Sequence, residues 1–306
     1  MAKTTHATAH KVALITGGAS GIGRAFGKNL ARRGMTVVLA DRQREAAEAA
    51  AAGIRGAGGA AQAVALDVRD RAAFAEVARQ VVSEHGSIDY LFNNAGIGVG
   101  GAMADFAPED WDDVLDVNLR GVVHGVEAVY PLMITQGSGH IVNTGSVAGL
   151  MPMANEGSYT AAKHGVVGLS KSLRVEARQH GVTVTALCPG VIDTPILRGG
   201  AFGRIRIPGM TPEKLEEAWA KTRPMNVDEF AEKALARILR GDFVVIVPSW
   251  WRLVWLFDRI APNLSLRLWS KIHDQLHEEL AEERARPGAE TTTITDQPSA
   301  ASEHAS

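Results

Sequence analysis

The chain carries a single cysteine, Cys188, among 306 residues. This excludes an internal disulfide and any multi-cysteine metal site, and it suits a reducing compartment. Cys188 therefore reads as a small buried residue. No uncharged apolar run approaches the roughly 18–20 residues that a spanning helix needs, and residues 1–10 lack the apolar centre of a secretory signal. The expected location is cytoplasmic. A basic excess is also missing: the formal net charge is −2, which leaves no electrostatic footprint for nucleic acid. The ten histidines show no ligand spacing, so no metal is expected. His164, beside Lys163, reads as a packing neighbour rather than a catalytic base. There is no internal repeat.

What is present is an alternation of short β-like runs with longer helical ones. Lys11 to Thr16, Thr36 to Ala40, Gln62 to Leu66, Ile88 to Phe92, His140 to Thr144, Thr183 to Leu187 and Phe243 to Val247 are brief and apolar. Segments long enough for crossover helices separate them. That pattern predicts an α/β fold with a doubly wound parallel sheet of about seven strands, covered on both faces. Sheets of this kind bind ligands beyond the carboxyl ends of their strands. The serine-, threonine- and alanine-rich ends, 1–10 and 287–306, bury too little apolar surface to order themselves and are expected to be flexible tails.

The strand ends hold the chemistry. The first runs into Thr16-Gly17-Gly18-Ala19-Ser20-Gly21-Ile22-Gly23 and then a helical stretch. Glycines there permit a tight turn and close approach to a pyrophosphate, while the helix N-terminus offers free N–H groups. The bland alternative is an ordinary strand-to-helix turn. Asp41 ends the second strand, where a carboxylate accepts bonds from ribose hydroxyls and repels a 2′-phosphate. NAD(H) is therefore favoured, with NADP(H) left open by Arg42, which would pair with such a phosphate. Asp67 ends the third strand and reads equally as a helix cap. Asn93-Asn94-Ala95-Gly96 reads as a turn. Asn118 falls inside a helical run, where asparagine is a poor fit, and so asks for a backbone-bonding or functional explanation. Ser146 follows the fifth strand. Tyr159 and Lys163 stand four apart on a helical segment, one above the other on one face.

These motifs, together with Pro189-Gly190, occur in an order and spacing that resemble the short-chain dehydrogenase/reductase family over roughly residues 11–248. The resemblance implies a single Rossmann-type domain with a catalytic set of Asn118, Ser146, Tyr159 and Lys163. Tyr159 would exchange a proton with the substrate oxygen, and Ser146 would bond the same oxygen. Lys163 would hold the nicotinamide ribose and lower the tyrosine pKa, and Asn118 would position a water linking Lys163 to solvent. By position, Gly17, Ser20, Gly21, Ile22 and Gly23 would cradle the pyrophosphate. Asp41 and Arg42 would face the adenosine ribose, Asp67 and Val68 the adenine, and Asn94, Ala95 and Gly96 would lie along the cofactor. Pro189, Gly190, Ile192 and Thr194 would hold the carboxamide end. A homodimer or homotetramer through 108–135 and 159–180 is also implied.

Residues 195–223, with glycines at 199, 200 and 203, read as the substrate loop, its glycines able to hinge a lid. Beyond residue 248, a helical extension over 249–286 holds four of the six tryptophans. Trp250, Leu253, Val254, Phe257 and Ile260 form one apolar stripe, and Leu264, Leu268, Ile272, Leu276 and Leu280 another. Three readings stand: packing on its own domain or a neighbouring subunit, a wall over the substrate cleft, or peripheral membrane contact through 249–270. Glu278, Glu279, Glu282 and Glu283, with Arg284 and Arg286, read as a solvated helix end. The expected activity is transfer of a hydride between a nicotinamide cofactor and a bulky hydrophobic secondary alcohol or ketone, of steroid, terpenoid or aryl-alkyl type. An epimerase or dehydratase on the same scaffold, or a nucleotide-binding regulatory protein, are the alternatives.

Overall fold

The computed structural model describes residues 11–207 and 210–284, with side chains as far as residue 275. The two expected tails, Leu276, Leu280 and the charged helix end lie outside the residues or side chains described. In chain order, the first half runs β1 (Val12–Thr16), α1 (Gly21–Ala31), β2 (Thr36–Asp41), α2 (Arg44–Gly56), β3 (Ala60–Ala65), α3 (Arg71–His85) and β4 (Tyr90–Asn93). There follow β5 (Gly98–Gly101), α4 (Pro108–Leu115), α5 (Gly121–Gln136), β6 (Gly139–Thr144), α6 (Gly157–Ala177), β7 (Val182–Pro189) and β8 (Gly203–Arg206). The chain continues through α7 (Pro212–Lys221), α8 (Val227–Ile238), β9 (Val244–Val247), α9 (Trp251–Ile260) and α10 (Pro262–Arg284).

All seven expected strands form, and they make one parallel sheet in the order β3-β2-β1-β4-β6-β7-β9. Every residue of β1 is buried. Val12 and Leu14 pack toward Phe74 of α3 and Val129 of α5. Ala13 and Ile15 pack toward Phe26 and Leu30 of α1 and Phe230 of α8. A strand covered on both faces must be apolar at every position, which explains its unbroken Val-Ala-Leu-Ile run. Each Leu or Phe buried in this way contributes about 1.5–3 kcal/mol. The helices stop for local reasons as well. Asp70 caps α3 by accepting from the Ala73 N–H, and Gly86 ends it in the left-handed conformation.

The chain winds outward from β1 through β2 to β3, then returns to place β4 on the other side of β1. Connections leave these neighbours in opposite directions, so a crevice opens at the carboxyl ends of β1 and β4. Over that crevice lies a second, two-stranded parallel sheet, β5 with β8, in which Val99 pairs with Arg204 and Gly100 with Ile205. Sequence periodicity shows neither strand, because both are short and glycine-bearing. The predicted substrate loop is thus a strand plus α7, anchored across the cleft.

The extension packs on the domain by a different face from the one the sequence predicts. Trp251 is buried against Val147, Met151, Cys188 and Ile246, and Val254, Trp255 and Trp269 pack onto the same cluster. Trp250, Leu253 and Ile260 of the predicted stripe point outward instead. Close approach fixes this rotation: a Cβ on Gly190 would lie 2.3 Å from Trp251 Nε1, so the bare backbone there admits the indole. Among the described residues, none of 249–275 lines the cleft.

Candidate active site

Tyr159 and Lys163 occupy the first turns of α6, just beyond the end of β6. Lys163 is 3 % exposed; its Nζ stands 5.4 Å from the Tyr159 ring centroid and donates to the Thr144 carbonyl at 2.8 Å. Burial lowers the ammonium to about 8. Burial also acts on Tyr159 and raises its phenol well above the ordinary value. The charge of Glu156 adds to that rise, and a hydrogen bond with Ser146 opposes it. The net direction is opposite to the lowering expected from Lys163, because desolvation of the phenol is the largest effect on it. Ser146 is buried at the end of β6 and its Oγ accepts from the Ala148 N–H at 3.1 Å.

Asn118 explains its odd place in a helix. Residues 116–120 form a π-turn between α4 and α5, a local widening that recurs at functional sites. Its amide engages Ile97 at both ends, donating to the carbonyl at 2.8 Å and accepting from the N–H at 2.9 Å. The side chain clamps Ile97, the residue before the strand that roofs the cleft. Asn94 is also a clamp: its Nδ2 donates to the Thr16 carbonyl, and its N–H donates to Thr16 Oγ1, tying β4 to β1 at the crevice.

At the other end of the cleft, Gly17 has φ 64°, a conformation that favours glycine. A Cβ on Gly23 would meet the Gly17 carbonyl oxygen at 2.2 Å and Asn94 Nδ2 at 2.8 Å. Helix α1 starts with no side-chain cap from Ser20 and no acidic residue in its first turn. Its leading N–H groups are thus available to a phosphate, and the helix's own first turn carries no carboxylate to repel one. Asp41 turns its carboxylate toward this turn, accepting from the Ala19 N–H at 3.1 Å and the Gln43 N–H at 3.0 Å. Arg42 reaches the opposite way and donates to the Ala201 carbonyl at 3.0 Å. Arg69 grips Asp67 through both carboxylate oxygens and holds it below the usual carboxylate range.

One continuous cleft is lined by every residue expected to hold a cofactor or to react, with two exceptions, Gly23 and Asn118. Both lie behind the lining and support it. Among the other lining residues, Met153, Val191, Ile196, Leu197, Phe202, Ile205 and Trp219 are apolar, Gln43, Arg69 and Thr144 are polar, and Glu156 is the single carboxyl. Burial pushes Glu156 up to about 7.

The family model described as short chain dehydrogenase matches residues 11–200. The chain belongs to the short-chain dehydrogenase family. This family of oxidoreductases binds NAD(P), and its fold accounts for the glycine turn and the Tyr159/Lys163 pair in one cleft. A crystal structure of a family member from Burkholderia phymatum in complex with NAD superposes with a TM-score of 0.74 at 32 % identity, covering 84 % of this chain and 95 % of that one. Levodione reductase of Leifsonia aquatica is 37 % identical over 217 residues, 70 % of this chain and 80 % of the relative. An uncharacterized oxidoreductase of Staphylococcus epidermidis is 33 % identical over 220 residues, 71 % of this chain and 94 % of its own.

Sequence reasoning missed four contributors to this short-chain dehydrogenase site. Glu156 immediately precedes α6 with a non-helical backbone, and only its closeness in sequence to Tyr159 pointed to it. Asp110, Arg204 and Arg206 could not have been found that way. Arg204 and Arg206 both donate to Asp110 from more than ninety residues away, and no local pattern links them.

Proposed function

We propose that the chain is an NAD(H)-dependent oxidoreductase interconverting a secondary alcohol and a ketone on a bulky, apolar frame. The observation that carries this reading is the convergence of Tyr159, Ser146 and Lys163 at the end of β6, within the cleft that the glycine turn and Asp41 close at its far end. The cradle fits a dinucleotide: the uncapped start of α1 suits the pyrophosphate, and the Asp41 carboxylate suits ribose hydroxyls. When bound, the nicotinamide supplies the two-electron oxidation or reduction of the substrate carbon.

The chain's own residues do the rest. In reduction, Tyr159 gives its phenolic proton to the substrate oxygen; in oxidation, it takes that proton back. A phenol raised by burial stays protonated at neutral pH and so serves first as the acid. Ser146 bonds the same oxygen and steadies the charge that develops on it. Lys163 places a cation beneath the phenol and against the Thr144 carbonyl, and would hold the nicotinamide ribose when the cofactor is bound. Asn118 holds Ile97, and with it the start of β5, in register above them.

Three features support NAD over NADP: the Asp41 carboxylate at the glycine turn, its repulsion of a 2′-phosphate, and the engagement of Arg42 by the Ala201 carbonyl. The apolar wall from Met153 to Trp219 supports a large hydrophobic substrate. The test is a panel of hydrophobic alcohols and ketones followed by NADH absorbance, with Tyr159→Phe as control. The variant should lose roughly 10²–10⁴-fold in kcat while binding NADH as before. A fully active variant would refute the assignment, and conversion without net NADH change would favour an epimerase or dehydratase.

A further inference from the structure

Eleven large hydrophobic side chains are exposed among the described residues, and eight of them lie between Trp250 and Ile272. Leu253 and Ile260 are 72 % and 73 % exposed, and Trp250 is 53 % exposed. A soluble surface scatters such residues singly; concentration on one face marks an interaction site. On α9, Trp250, Leu253, Leu256 and Ile260 fall on a single outward face, because the buried Trp251, Val254 and Trp255 claim the opposite side. Leu264, Leu268 and Ile272 continue the exposed surface along α10 at helical spacing.

The rim decides what covers this face. Arg252, Arg259, Arg267 and Lys271 are all exposed on it. Arg259 lies over the Trp255 ring at 5.5 Å. Residues 249–275 hold these four cations against two carboxylates, while the four glutamates at 278, 279, 282 and 283 fall in the last turns of α10, beyond the apolar face. One of the two, Asp258, is occupied by Ser265 Oγ at 2.7 Å. The whole chain, by contrast, is net negative. Two copies meeting through this face would bring like-charged rims together. An anionic surface would complement them, with arginine and lysine stems lying along the apolar layer and their heads at its edge. None of the described helices is long and apolar enough to cross a membrane, so the geometry is that of a pair of helices lying on one.

We propose that the outer face of α9 and of the first half of α10, from Trp250 to Ile272, docks on an anionic lipid bilayer. The face leaves the domain directly after β9, at the carboxyl edge of the sheet where the cleft opens. Trp251 ties it to Gly190, itself a lining residue of that cleft. The docked helices are thereby fixed to an element that lines the cleft. The docking itself does not depend on the reaction assigned above.

The experiment is flotation of the full chain with phosphatidylcholine vesicles, with and without phosphatidylglycerol, at low and high salt. The expected result is binding to the anionic vesicles that weakens with salt and is absent on neutral ones. Leu253→Ser with Ile260→Ser should abolish it. Arg252→Gln with Arg259→Gln should weaken partitioning about 30-fold, each cation near the surface contributing a factor of about five. Both pairs are at exposed positions, and unchanged circular dichroism and NADH binding confirm their folds. Failure of the wild type to float with anionic vesicles overturns the proposal, as does flotation that neither pair reduces. A fall in assembly mass by light scattering with Leu253→Ser/Ile260→Ser, without vesicle binding by the wild type, would identify a second copy of the chain as the occupant.

Discussion

Asp110 is the residue on which the roof of the cleft hangs. It is fully buried at the start of α4 and receives Arg204 Nε, Arg206 Nε at 2.9 Å, Arg206 Nη2 at 3.2 Å and the Ala107 N–H at 2.9 Å. Burial alone would raise its carboxyl; the Arg206, Ala107 and Arg204 donors reverse this and hold it below the ordinary aspartate range. Asp110→Asn keeps the shape and removes the charge, stranding two guanidinium groups whose side chains are only 17 % and 25 % exposed. Breaking a buried pair costs about 3–5 kcal/mol. Arg204 keeps Asp113 at 2.9 Å and the Glu109 carbonyl, so the lower end applies, about 3 kcal/mol or roughly 150-fold in the closed-to-open ratio of β8. Trypsin reads this directly, since Arg204 and Arg206 are its own cleavage sites. With fast opening, cleavage tracks the open population, and its rate at these two residues should rise by about that factor. Substrate KM should rise with it and NADH affinity should stay nearly constant, because the glycine turn and Asp41 sit on other elements. Unchanged cleavage at Arg204 and Arg206 would refute the idea that Asp110 holds the roof. Because the carboxyl is depressed, its contribution is present above pH ~3.8 and is lost as acid takes the pH through the folded value below that.

Replacing Asp41 by Ala should raise the ratio of kcat/KM with NADP to that with NAD by about 10–150-fold, the worth of about 1.5–3 kcal/mol in charged hydrogen bonds; an unchanged ratio would remove Asp41 from cofactor choice. Glu156 ionises near pH 7 beside Tyr159, and its charge disfavours the phenolate that oxidation requires. Glu156→Gln should therefore shift the rise of the oxidation rate to lower pH, and an unmoved profile would count against any contact with Tyr159. His140 is buried with its pKa lowered to about 3. Thr185 Oγ1 already donates to the Asp242 carbonyl, so His140 Nε2 donates to Thr185. The unfolded chain binds this proton below the ordinary histidine value, so His140 costs about 1.4 kcal/mol per pH unit as pH falls from 6.5 toward 3. Glu156, raised from 4.5 to about 7, has the opposite slope: its stabilisation is full below 4.5 and fades as pH rises toward 7. Urea midpoints between pH 5 and 7 should show a flat wild type, a His140→Gln variant that weakens as pH rises and a Glu156→Gln variant that weakens as pH falls. Parallel lines for all three would refute both assignments.

Much of the site was readable because each part sits where one local rule operates. A parallel strand buried on two faces must be apolar along its length, so β1, β4, β6 and β7 announce themselves. A turn between strand and helix that must pass close to Asn94 needs glycine at 17 and 23. Tyr159 and Lys163 share a helix face, so four-residue spacing suffices to pair them. Asn118 was recognisable as a misfit, while its partner, Ile97, was not, because a clamp between a π-turn and a roof strand has no periodic signature. The direction of the Tyr159 shift was missed for a related reason: spacing shows the cation, and only packing shows how much water the cleft excludes.

The amino-acid sequence by itself determined the doubly wound parallel sheet, the glycine turn and the pairing of Tyr159 with Lys163 on one helix face, since all of these follow from backbone sterics and helix or strand period. Tertiary structure alone decided three other things. It joined Arg204 and Arg206 to Asp110 across more than ninety residues. It brought Glu156 into the wall of the cleft. It also chose which face of the tryptophan-rich extension turns inward, because α9 offers apolar side chains all round and only the contact of Trp251 with Gly190 sets its rotation. The side left outside carries Leu253 and Ile260.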